Sequence, residues 1–224
     1  MRSLRLLPVL AAAVVAIPAG AQTAKAPAKT PAGKSAVARP ATARVATAAP
    51  AAVLTNYAID ATHSELTFRV RHLLGRVGGT FGEWGGTIAI DTATPANSKV
   101  DVTIKTASID TKNTQRDNHL RSPDFFAADS FPTITFKSRQ VTKQGNQLRI
   151  LGDLTMRGVT KPVVLTGEYA GAFKDPWGKN RTAFTATTTI NRQDFGVAFN
   201  KAVETGTMLG DDVAIEIALE AVQQ

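Results

Sequence analysis

From Tyr57 onward, apolar and polar residues alternate one for one, segment after segment. Leu66, Phe68 and Val70 are separated by Thr67 and Arg69; Val100, Val102 and Ile104 by Asp101 and Thr103; Ile134 and Phe136 by Thr135. The same beat runs through Leu148, Ile150, Leu154 and Met156, through Val163, Leu165 and Tyr169, and through Val213, Ile215, Ile217 and Leu219. Successive side chains of a strand point to opposite faces, so each segment carries one oily face and one wet face. Weaker strand patterns cover 77–84, 87–90 and 181–190, and clusters such as TPANS, KQGN and KDPWGKN separate them as turns. About eight half-apolar strands joined mostly by short turns predict an antiparallel meander that curls into a barrel or a sandwich. An eight-stranded barrel is either filled by its own side chains or holds one small ligand, and the alternation is the same in both.

The residues ahead of this domain are of another kind. Arg2 and Arg5 precede an apolar run from Leu6 to Ile17, and Ala19-Gly20-Ala21 gives a small-residue exit. That order predicts a cleavable export signal over 1–21, and the run is shorter than the roughly 20 apolar residues a membrane-spanning helix needs. Residues 22–56 are dominated by Ala, Pro, Thr and Lys, with Pro27, Pro31, Pro40 and Pro50 breaking any helix. A segment so poor in buriable surface predicts a disordered tether, its lysines free for weak contact with anionic envelope surfaces. Within it, AKTPAGKS (28–35) imitates a phosphate-binding loop but lacks the first glycine and the flanking strand and helix.

Charge then loses its first meaning. The chain's net charge of +8 suggests a nucleic-acid partner, yet residues 1–56 hold seven Lys/Arg and no acid, leaving 19 basic against 18 acidic residues beyond them. A nearly neutral domain offers no electrostatic case for DNA or RNA. The absence of cysteine removes disulfides, thiol chemistry and cysteine metal sites.

One stretch interrupts the alternation: RDNHLRSPDFFAADSFP (116–132). Thr114 followed by Asp117 resembles a capping box, predicting a two-turn helix from Thr114 to Arg121 that stops before Pro123. Ser122-Pro123 then reads as the start of a second short turn carrying Phe125 and Phe126. A helix with an aromatic foot beside a barrel suits a cover over its mouth.

Five blocks carry a family resemblance: IDATHSELTFRVRHL (59–73), GTFGEWGGTI (79–88), the long stretch 108–138, GDLTMRGVTKPVVL (152–165) and RQDFGV (192–197). In their order and spacing the domain resembles the YceI-like family of lipid- and polyisoprenoid-binding proteins. Two positions depart from its pattern: Ala127 stands where an acidic residue is expected, and Gly85 follows Trp84 where a bulkier one is common. The resemblance implies a lipocalin-like eight-stranded antiparallel barrel, exported to the periplasm. An apolar cavity inside it would hold an isoprenoid-type lipid, a polyprenyl chain or a quinone, with no metal or cofactor.

The inward faces then supply candidate cavity walls: Leu66, Phe68, Val70, Val102, Ile104, Ile134, Phe136, Leu148 and Ile150. Candidates for the mouth are His72, Arg116, His119, Arg121, Phe125, Phe126 and Phe131. Ordinary core, a satisfied structural histidine and a solvated helix face are the competing roles for these residues. Two other functions compete with the carrier. A hydrolase acting on a lipid or glycan through carboxylate and histidine residues lacks any motif in its required context; Ser64 beside His63 points the opposite way along an extended chain. A protein-interaction module would leave the phenylalanines of 125–131 exposed or in an interface.

Overall fold

A computed structural model of the protein describes residues 53–203 and 206–224. The expected export signal and nearly all of the tether lie outside them. Among the described residues thirteen strands occur in chain order. They are β1 (Thr55–Ile59), β2 (Glu65–His72), β3 (Gly75–Phe81), β4 (Trp84–Ile90), β5 (Lys99–Lys105), β6 (Ile109–Asp110), β7 (Thr133–Gln144) and β8 (Gln147–Met156). Then come β9 (Val159–Lys174), β10 (Asn180–Asn191), the small hairpin β11 (Ala202–Val203) and β12 (Gly206–Thr207), and β13 (Leu209–Gln223). One helix, α1 (Thr114–Arg121), lies between β6 and β7.

Pairing reduces these to a closed eight-stranded antiparallel barrel. β1 and β2 form one staves-and-break unit: β1 pairs with β4 and the end of β13, while β2 pairs with β3 and the start of β13. β3 with β4, and β5 with β6, are likewise two halves of one wall element, bent at Gly82–Glu83 and at 106–108. The meander continues β5–β7–β8–β9–β10–β13, and β13 closes it on β1 and β2. β1 begins at Thr55, where Thr55 and Asn56 pair with Ile90 and Ala89.

Up-and-down order sorts every connection to one end or the other. The upper end carries the 73–74 turn, the insertion 111–132 with α1, the 157–158 turn and the long connection 192–208. The lower end carries the start of β1, the 91–98 loop, the 145–146 turn and the 175–179 loop.

α1 is eight residues long, too short to be stable alone. Its cap differs from the sequence expectation: Asn113, not Thr114, accepts from the Arg116 amide at 2.9 Å. Asp117 turns away from that role, is buried, and accepts from both the amide (2.9 Å) and the hydroxyl (2.5 Å) of Thr111. The reason is the short reach of aspartate, which bonds better to the preceding loop than back to the cap.

Outside the barrel, Arg181 joins four elements. Its guanidinium donates to Asp175 (2.9 Å), Asp60 (2.8 Å) and Glu220 (3.2 Å), and Asp60 also meets His63 at 2.9 Å. The bond from Arg181, then that from His63, lowers the Asp60 carboxyl to about 2. A carboxylate with a depressed folded pKa stabilises above its unfolded value and loses that contribution as pH falls through the folded one. Stability is therefore expected to hold down to about pH 4 and decline from there to about pH 2. In Arg181→Ala three carboxylates face one another without their cation, which raises their proton affinity. Its urea midpoint is expected to start lower at pH 7 and to rise on acidification toward pH 4, a range over which the wild type holds steady. Parallel pH profiles for the two proteins would contradict this account of the network.

Candidate functional site: an apolar cavity through the barrel

The inward faces do not meet. They enclose a cavity of about 760 Å³, lined almost wholly by apolar side chains. Its walls include every residue expected there: Leu66, Phe68, Val70, Val102, Ile104, Ile134, Phe136, Leu148 and Ile150. The same parity places Val100, Leu154, Leu165, Phe184, Ile215 and Ile217 on it as well.

Two glycines make room for two phenylalanine rings on the wall. Phe68 lies opposite Gly79 in register, and a Cβ there would sit 2.5 Å from the ring's Cζ. Phe136 lies in the same way against Gly152, where a Cβ would fall inside the ring's van der Waals envelope. Each ring is thus laid flat on the sheet rather than projected across the barrel. On β10, Ala186 puts a small side chain on the wall beside Gly167 of β9, whose missing side chain lets the two backbones approach closely.

The upper end is covered by two connections in contact. Phe126 meets Phe81 edge-on at 6.1 Å, and Phe81 meets Phe68 at 5.8 Å, so an aromatic line runs from wall to cover. His119, Phe125 and Phe199 form a second cluster with centroids 4.8–5.0 Å apart, joining the α1 insertion to the 192–208 connection. Phe199 was not legible as a site residue, since it lies beyond the last alternating run before β13. Buried Arg192 holds that connection in place, donating to the carbonyls of Val197 (2.6 Å), Phe199 (2.9 Å) and Gly210 (2.9 Å) and to Asp211 (2.9 Å).

The mouth candidates separate under this geometry. His72, Arg116, His119, Phe125 and Phe126 line the cavity; Arg121 and Phe131 do not. Arg121 donates to the carbonyls of Ala107 (2.7 Å) and Ile109 (2.8 Å), pinning α1 to the wall. Phe131 covers Gly158 in the 157–158 turn, and its carbonyl accepts from Thr106 at 2.7 Å. In that turn Arg157 donates to the Phe125 carbonyl. These residues anchor the cover. Ala127, buried, and Gly85 also lie off the cavity.

Polar groups cluster at the two ends of the cavity, and Thr185 and Thr188 of β10 line the wall between them. Above are His72, Arg116, His119, Arg192 and Lys201. Arg116 spends two donors on Thr111 (2.7 Å each) and His119 pairs with Asp124 at 2.9 Å, whereas the His72 ring has no hydrogen-bond partner among the described residues. Below are Thr92, Lys143 and buried Asp91. Bonds from Asn97, then from Thr94 and Ala93, hold the Asp91 carboxyl below the usual range and shape the 91–98 loop. Ser64 is engaged structurally, donating to the Asp60 carbonyl (2.7 Å) and accepting from the Glu220 amide (2.9 Å). Among the described residues no three His, Asp or Glu side chains group closely enough to hold a metal ion.

A closed antiparallel barrel with a continuous apolar lumen and a polar rim has the architecture of a lipocalin-like small-molecule binder. A family model described as the YceI-like domain matches residues 57–221, and the chain belongs to that family. It is 42% identical over 182 residues to Protein YceI of Escherichia coli, covering 79% of this chain and 91% of that one. The crystal structure of a Campylobacter jejuni YceI protein matches with 37% identity and a TM-score of 0.61, over 69% of this chain and 90% of that one. A polyisoprenoid binding domain from Saccharophagus degradans shares the fold at 16% identity, with a TM-score of 0.56, over 77% of this chain and all of that one.

Proposed function

We propose that this barrel binds an isoprenoid-type lipid, a polyprenyl chain or a quinone, and carries or sequesters it in the periplasm without chemistry of its own. The continuous apolar cavity is the observation that carries this reading. Its 760 Å³ falls inside the roughly 300–1,000 Å³ of small-molecule pockets, and its lining runs from His72 and Phe126 at one end to Asp91 and Lys143 at the other. Each buried methylene contributes about 0.8 kcal/mol, so one prenyl unit contributes on the order of 3 kcal/mol before ordering costs. A tail threaded past Phe68 and Phe136 leaves its head group at the rim, where His72, without a hydrogen-bond partner among the described residues, and the spare donors of Arg116 suit a carbonyl or phosphate oxygen. The polyisoprenoid-binding role of the Saccharophagus degradans domain supports this ligand class. The export signal read from residues 1–21 supports the location.

Binding rather than turnover fits the side chains. His63 pairs with Asp60 outside the barrel, His119 with Asp124, and the Ser64 hydroxyl is held by backbone groups. Organic-solvent extraction of the purified protein followed by mass spectrometry tests the proposal. A polyprenyl compound or quinone in near-stoichiometric amount is expected. Reproducible recovery of straight-chain acyl lipids, or of nothing after exposure to a polyprenyl ligand, would overturn it.

A further inference from the structure

The 73–74 turn at the upper end is built against the usual rules of hairpin chemistry. A two-residue hairpin places Gly, Asn or Asp where φ is positive. Here Leu73 takes that position at φ +51°, and Leu74 beside it projects wholly into solvent. Beneath the turn, Arg71 and Arg76 are direct cross-strand partners on the outer face, a like-charge pairing that disfavours the sheet. Among the described residues neither has a carboxylate partner; Arg71 donates to the Leu73 carbonyl at 3.1 Å. Backbone strain, exposed leucines and paired arginines all cost the isolated barrel something, and among the described residues no carboxylate or apolar cover offsets them.

The turn at the lower end, around Trp177, also exposes apolar groups but is locally well made. Gly178 takes its positive φ, and Asp175 accepts from the amides of Trp177 (3.0 Å) and Lys179 (2.9 Å). The irregular turn is the one joined to the cavity rim. The Leu73 amide donates to the carbonyl of Met208 at 2.8 Å, and Met208, Leu209 and His72 all line the cavity.

We propose that Leu73 and Leu74 form a membrane-contact tip that seats the upper end of the barrel on an anionic phospholipid surface. The leucines enter the boundary between head groups and acyl chains, and Arg71 and Arg76 take lipid phosphates. Anions between the two guanidiniums relieve their repulsion, and the bilayer covers the leucines. The purpose of the contact rests on the lipid reading above: it sets the rim against the phase from which a water-insoluble ligand is loaded.

Flotation of the full-length protein with vesicles of phosphatidylcholine alone, or mixed with phosphatidylglycerol, tests the tip. The wild type is expected to float with the mixed vesicles. Leu73→Gly/Leu74→Ser is expected to lower that partition on the order of tenfold or more. Its melting temperature should be unchanged or higher, because glycine relieves the positive φ, so lost binding would not reflect lost folding. Arg71→Gln/Arg76→Gln should cost about fivefold per arginine on anionic vesicles and little on neutral ones. Trp177→Ser should float as the wild type does. A leucine variant that floats like the wild type, through the basic N-terminal segment or the Trp177 end, overturns the proposal. So does a wild type that binds neither vesicle. Solvent extraction of the same preparations keeps the two readings apart. A protein that floats but yields no lipid retains the tip and loses the cavity ligand; one that yields lipid but does not float shows the reverse.

Discussion

Replacing Ala186 with tryptophan is expected to empty the barrel of lipid without unfolding it. Ala186 lines the cavity from β10, paired with Gly167 on one side and Ile217 on the other. An indole there occupies space that the lipid tail uses. Displacing one prenyl unit's worth of contact removes on the order of 3 kcal/mol, about a hundredfold in affinity. The stability of the empty protein should change by less than about 1 kcal/mol, since the ring enters a void. In a solid core the same substitution forces overpacking, which costs about 1–3 kcal/mol and sometimes more. Lipid recovered per protein and the urea midpoint, measured on one preparation, separate the cases. Loss of stability with no prior lipid would argue for a filled interior. Unchanged lipid in a stable variant would place the ligand elsewhere.

Phe136→Asp should remove both lipid and stability. Phe136 is 7% exposed, stands between Val102 and Leu154 in register, and lies against Gly152. A carboxylate at that position has no partner, and losing the ring while burying a charge costs about 4–5 kcal/mol at neutral pH. The sign of its pH dependence is fixed by the same burial. Desolvation raises the folded carboxyl's pKa above its unfolded value, so stability returns as pH falls and the group takes up a proton. Phe136→Leu, which keeps an apolar side chain, should retain lipid and most of the stability. A folded Phe136→Asp protein with an ordinary lipid load would contradict the inward placement of this residue.

Much of this was legible in the alternation because a barrel strand has only two faces. Once Leu66, Phe68 and Val70 share a face, His72 follows by parity, and the structure places all four on the cavity. Parity is silent on whether opposing faces touch. That depends on the barrel's closure and on glycines such as Gly79 and Gly152, whose effect is exerted across a strand pair and so has no local signature. The insertion was harder to read. Its helix limits follow from Pro123 and a good N-terminal signal, but Asn113 takes the cap expected of Thr114, and Asp117 bonds Thr111 rather than the cap. Arg121 and Phe131 look like mouth residues in a list of exposed charges and aromatics. Only the positions of Ala107, Ile109 and Gly158 reveal them as anchors. Phe199 and Arg192 escaped notice for the opposite reason: they belong to a long connection whose path is set by hydrogen bonds to carbonyls rather than by any repeating pattern.

The hollow interior can be tested without knowing its ligand. Apolar voids stay dry and take up xenon, so crystals of lipid-extracted protein should be pressurised with the gas and its anomalous signal located. Xenon atoms spaced along the barrel axis, among Phe136, Leu165, Phe184 and Ile215, are the result this account requires. Side chains meeting across the axis, with no xenon between them, would contradict it.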